Sequence, residues 1–115
     1  MKKTILLISV LVLSLGLNYC NSCDGENPRV TLQNGATTNA SVQVQTSGGN
    51  TINVNNIAPG TSSTQQSFAP GTITFTITIQ GGATYTHTLN STTCYDYVIN
   101  INNNAATTEA VDRNA

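Results

Sequence analysis

The chain has 115 residues, enough for one domain with a modest core, and only 8% of them are charged. Setting aside Lys2 and Lys3 in a leader, Arg29 and Arg113 stand against Asp24, Glu26, Asp96, Glu109 and Asp112, a mildly acidic balance. Two dispersed arginines cannot form the basic stripe that nucleic acid or an anionic lipid surface requires, so both are excluded as partners.

The N-terminus places Lys2 and Lys3 before an uncharged apolar run from Ile5 to Leu17, which gives way to polar residues. This pattern predicts a signal peptide over residues 1–19. The run is shorter than the roughly 20 apolar residues needed to cross a bilayer, so it reads as an export signal and not as a permanent anchor.

The next stretch is "LNYCNSC", in which Leu17 stands three places before Cys20. It resembles the lipobox of bacterial lipoproteins, and that resemblance implies cleavage before Cys20 and lipidation of its sulfur. Cys23, preceded by the small Ser22, is the rival lipidation site, and secretion without lipid is the third reading. The expected location is the outer membrane or cell surface as a lipoprotein, otherwise the medium. Any membrane association would run through the lipid anchor alone. Lipidation of Cys20 leaves Cys23 and Cys94 to form one disulfide in an oxidising compartment. Such a bridge closes a loop of about 70 residues and is worth about 4 kcal/mol by chain entropy. The alternative for Cys94 is a buried free thiol. Residues 20–28 are expected to be a lipidated or flexible linker. Asp24 and Glu26 supply only two of the six or more oxygens that calcium takes, and the three cysteines and one histidine lack a zinc spacing, so neither metal is expected.

A single β-sandwich domain is predicted over residues 29–102. Apolar residues alternate with period two: Val30 and Leu32; Val42 and Val44; Ile52 and Val54; Ile73, Phe75, Ile77 and Ile79; Tyr85, His87 and Leu89; Tyr95, Tyr97, Ile99 and Ile101. Between them stand turn formers, including Asn34-Gly35, Gly48-Gly49, Pro59-Gly60, Pro70-Gly71 and Gly81-Gly82. The expectation is a small antiparallel sandwich of six to seven strands, immunoglobulin-like or transthyretin-like. The seventh segment, Ser62 to Phe68, is polar and is expected to be a short edge strand or a loop.

The stretch "TITFTITIQGGATYTHTL" places Thr72, Thr74, Thr76, Thr78, Thr84, Thr86 and Thr88 at even positions and apolar residues at odd ones. Both arms keep their faces only if Gln80, Gly81 and Gly82 form a three-residue loop that sets Thr78 opposite Thr84. The threonines then form an exposed face, solvated and β-branched, that stiffens the strands. The other reading of this lattice is an ice-binding face, because regular T-x-T rows resemble those of β-structured antifreeze proteins. His87, the one histidine, has no predictable companion for catalysis or metal binding and is expected at the core edge. The final segment, "NNNAATTEAVDRNA", shows no apolar periodicity, and residues 103–115 are expected to be a disordered tail.

Across Arg29 to Ile101 the order of "RVTLQNGATTNASVQVQ", "NNIAPGTSSTQQSFAPGTITFTIT" and "LNSTTCYDYVINI" resembles a family of extracellular bacterial domains of unknown function. Ala58-Pro59-Gly60, Ala69-Pro70-Gly71 and Tyr97 carry the likeness, while Cys94 stands where that family often has glycine. The resemblance implies a β-sandwich and brings no enzymatic activity. No serine or cysteine sits beside a predicted base and orienting acid, so no catalytic residue is named. No cofactor is expected. The expected role is an exported binding or structural module for a surface protein or, less favoured in a mature chain without tryptophan, a glycan.

Overall fold

The computed structural model describes residues 23–114. The predicted signal peptide and Cys20 lie outside those residues. Among the described residues eight strands form: β1 (Arg29–Asn34), β2 (Ala40–Gln45), β3 (Thr51–Ile57), β4 (Gln66–Ser67), β5 (Gly71–Ile79), β6 (Thr84–Ser91), β7 (Tyr95–Ile101) and β8 (Ala106–Asp112). They build two four-stranded sheets, one ordered β4-β1-β7-β8 and the other β3-β2-β5-β6.

The alternation of apolar residues decides what lies between the sheets. Val30 and Leu32 of β1 with Tyr97, Ile99 and Ile101 of β7 face Val42 and Val44 of β2 with Ile73, Phe75, Ile77 and Ile79 of β5, all buried. The central strands of each sheet therefore carry the core, and burial of their side chains at about 1.5–3 kcal/mol each is the main force holding the layers together.

Three expectations are corrected. The sheets are not purely antiparallel: β1 runs parallel to β7, with Val30 opposite Tyr97 and Leu32 opposite Ile99. The strand count is eight because the segment expected to be a disordered tail supplies β8, which pairs antiparallel with β7 from Ile101 opposite Ala106 to Tyr95 opposite Asp112. Its residues are mostly exposed, so backbone hydrogen bonding to an edge, and not an apolar stripe, makes it a strand. Residues 23–28 are not a free linker either. Pro28 is buried, the carbonyls of Glu26 and Pro28 accept hydrogen bonds from the Cys94 and Phe68 N–H groups, and Cys23 is disulfide-bonded to Cys94. The polar Ser62 to Phe68 segment behaves as expected for an edge, contributing the two-residue β4 and one bridge from Ser62 to Gln33.

The two ends of the sandwich differ in chemistry. One end gathers the disulfide and an ionic cluster: Arg29 clasps Asp96 through Nε and Nη2 at 2.7 and 2.8 Å, and Arg113 bonds Glu26 at 2.7 Å while its Nε lies 3.1 Å from Asp96. Asp96 raises the Arg29 pKa chiefly by this hydrogen bond. The cluster ties the first described residues to the end of β8, and it gives the exposed Glu26 an arginine partner. The opposite end is organised by Asn34, fully buried, which donates to the Thr38 and Ile57 carbonyls at 2.9 and 2.7 Å and accepts from the Ala36 N–H at 2.9 Å. One amide thus joins β1, the loop after it and the end of β3 across the two sheets.

Candidate binding face

Register decides which side chains share a surface. In the β5–β6 hairpin Thr78 stands opposite Thr84, Thr76 opposite Thr86 and Thr74 opposite Thr88, while Ile77 meets Tyr85 and Phe75 meets His87. Gln80, Gly81 and Gly82 form the loop, the Gly82 N–H donating to the Ile79 carbonyl at 2.8 Å with Gly81 at φ +70°. A residue in that left-handed region is most cheaply a glycine. The three-residue loop required by the parity of the threonines is the one the chain adopts.

The threonine surface is wider than the hairpin. β2 pairs with β5 so that Gln45, Gln43 and Ser41 stand opposite Thr74, Thr76 and Thr78. β3 then sets Thr51 opposite Gln45 and Asn53 opposite Gln43. Side chains on one face of adjacent strands lie about 4.8 Å apart across the sheet and about 6.8 Å apart along each strand. The outer face of this sheet is therefore a four-strand lattice of hydroxyls and carboxamides.

Two properties set this face apart. From Val30 to Tyr95 the sequence contains no Asp, Glu, Lys or Arg, so no side chain of these four strands is charged except as His87 titrates. Among the described residues, Thr74, Thr76, Thr78, Thr84, Thr86 and Thr88 make no side-chain hydrogen bond within the protein, and neither do Gln43 and Asn53; Thr72 bonds Asn90 at 3.2 Å. Ser41 Oγ accepts from the Asn56 N–H at 3.1 Å, and most of the lattice's other donors and acceptors are unspent. Near its centre Ser41, Gln43, Asn53, Asn55, Thr76 and Thr78 ring a shallow depression of about 180 Å³. Among the described residues no aromatic ring lies on this face, because Tyr85 points inward on β6 and Tyr95 and Tyr97 belong to the other sheet.

His87 sits at the half-buried margin between the sheets. Its Nε2 shares a 2.6 Å hydrogen bond with Thr108 Oγ1 of β8, and burial lowers its pKa. Beside it the Tyr85 hydroxyl donates to the Asn102 and Ala105 carbonyls at 2.6 and 3.0 Å, and desolvation raises its pKa. These contacts close the β6–β8 side of the sandwich. Among the described residues no group of three or more His, Cys, Asp or Glu side chains is placed to hold a metal. Parity alone exposed the threonine rows of β5 and β6. The contributions of β2 and β3 were legible only as alternating polar positions in separate segments, with nothing local to say that they lie beside the hairpin.

Comparison with known proteins adds no relative: no family model, curated protein or solved structure matches the chain.

Proposed function

We propose that this protein is an exported, non-enzymatic surface module, a sandwich of the immunoglobulin-like or transthyretin-like kind held at the outer surface through lipid on Cys20, that binds through the outer face of β3-β2-β5-β6. The observation that carries the reading is the breadth of that face: four strands of uncharged hydrogen-bonding groups, most of them without a partner inside the protein. The disulfide between Cys23 and Cys94 supports an oxidising compartment and leaves Cys20 as the remaining cysteine for lipid. A partner suited to this face is itself uncharged and rich in hydroxyl or amide groups, a surface protein before a glycan, because there is no aromatic ring to stack on a sugar. Intact mass spectrometry of the exported protein tests the anchor, with a diacylglycerol mass on a chain beginning at Cys20 expected. Capture from surface extracts with the native domain and with the T76K/T86K variant tests the face. Loss of capture in the variant, with unchanged thermal unfolding, is expected; equal capture by both refutes the assignment.

A second reading is favoured by the in-register threonine rows of β5 and β6, which form the kind of regular T-x-T array that an ice surface would meet. Measurable thermal hysteresis, abolished in T76K/T86K, would establish it over the first reading; its absence would dispose of it.

A further inference from the structure

β3 is an edge strand of the sheet β3-β2-β5-β6, so one side of its backbone has no neighbour within that sheet. In the β2–β3 pair the Thr46 N–H donates to the Asn50 carbonyl at 2.9 Å, which fixes the alternation of the ladder. Positions 52 and 54, opposite Val44 and Val42, turn their backbone groups toward β2. Thr51 and Asn53 therefore turn their N–H and C=O groups outward, away from the sheet. Proteins ordinarily guard such an edge with lysine, proline or an inward charge. Between Thr51 and Asn55 there is none of these. The register shift falls between Val54 and Ile57, with Asn56 at φ +60°, and so touches only Asn55, the last residue of this stretch.

The inner side of the same strand is also uncovered. Ile52 and Val54 are only partly buried, because the facing sheet contributes just the two residues of β4 and an irregular segment there. A groove of about 390 Å³ runs beside β3, its lining including Val54, Ile57 and residues 61–64. Of the other edges, β4 is only two residues long, β6 is braced by the Tyr85 bonds to the loop before β8 and by His87 to Thr108, and β8 carries Glu109 and Asp112.

We infer that β3 is a self-pairing edge, joining two copies of this chain antiparallel about a two-fold axis at Asn53. The pattern is self-complementary. With Asn53 of one copy opposite Asn53 of the other, about two backbone hydrogen bonds form on the axis, and the outward groups of Thr51 add to them where that residue meets Asn55. The same register sets Ile52 of each copy opposite Val54 of its mate, so the partly exposed apolar residues cover one another over the groove. Nothing charged opposes the approach, and the result is a continuous eight-stranded sheet whose outer face doubles the uncharged lattice. The inference holds whether or not that lattice binds the partner proposed above.

Sedimentation of the disulfide-bonded chain across a concentration series to about 1 mM tests it, since pairing through one edge buries less than a standard interface and gives a weak dimer. The native protein is expected to dimerise. N53K and N53E, which bring like charges together on the axis, are each expected to weaken self-association about tenfold or more, and mixing the two is expected to restore a one-to-one dimer. T86K, on the opposite edge of the sheet, should leave dimerisation unchanged. Amide exchange on the native protein supplies a reading free of mutation: raising concentration should slow exchange at Thr51 and Asn53 and leave Ile52 and Val54 unaltered. A native chain that remains monomeric throughout overturns the inference. So does association that N53K leaves intact, or a mixture of N53K and N53E that does not re-form the dimer, which would point to another edge or another partner.

Discussion

Replacing Asn34 is the most demanding test of how the sandwich is held together. The side chain is fully buried and all three of its hydrogen bonds go to backbone groups: the Thr38 and Ile57 carbonyls and the Ala36 N–H. N34A removes the amide and strands those groups where water cannot readily reach them. At about 1 kcal/mol for each net bond, and more where a buried group is left unpaired, the loss should be about 3–5 kcal/mol. That is a large share of the roughly 5–15 kcal/mol that stabilises a small domain. N34D is nearly isosteric but can only accept, so its carboxylate would face two carbonyls; at neutral pH it should be less stable than N34A. Acidification should narrow that gap, because a protonated carboxyl regains one donor. Urea unfolding at pH 7 and at about pH 4, read by far-UV circular dichroism, measures both effects. An N34A cost below about 1 kcal/mol, or N34D more stable than N34A at pH 7, would refute the reasoning.

Three further outcomes are expected. Cys94 has φ +65°, a left-handed conformation that favours glycine. With the bridge removed, C23S/C94G should therefore be more stable than C23S/C94S by about 1 kcal/mol, while both lie about 4 kcal/mol below the native protein; equal melting of the two variants would contradict the backbone argument. At Gly71, φ +125°, a Cβ would come within 2.8 Å of Ser47 Oγ, so G71A should lower stability by about 1–3 kcal/mol in chemical denaturation, and a neutral result would show that the Pro70-Gly71 corner relaxes freely. His87 has its pKa lowered from 6.5 by burial, so the unfolded chain takes up the proton first as pH falls. The contribution of neutral His87 is complete above its unfolded pKa and is lost as pH falls through that value toward the lower folded one. Thermal melts of the native protein and H87Q between pH 8 and pH 5 should diverge in that sense, and parallel profiles would count against it.

Much of the local architecture is readable from residue order because a strand has a period of two. Threonine at even and apolar residues at odd positions from Thr72 to Leu89 fix two faces, and the requirement that both survive the turn fixes a three-residue loop. The pairing of Cys23 with Cys94 is likewise among the alternatives that the cysteine count leaves open. The rest depends on neighbours distant in sequence. β8 has no apolar alternation, since an edge strand on exposed backbone gains little by burying side chains, and its partner β7 must be in place before its ladder exists. The role of Asn34 is similarly hidden, because Asn-Gly reads as a turn until the Ile57 carbonyl arrives from the other sheet. The sequence by itself determined which side chains point inward and which outward along β1–β3 and β5–β7, the strands that alternate. Only the tertiary structure decided which outward rows stand side by side, because strand order is set by packing between sheets, and that order turned two rows of threonine into a four-strand face with an open edge at β3.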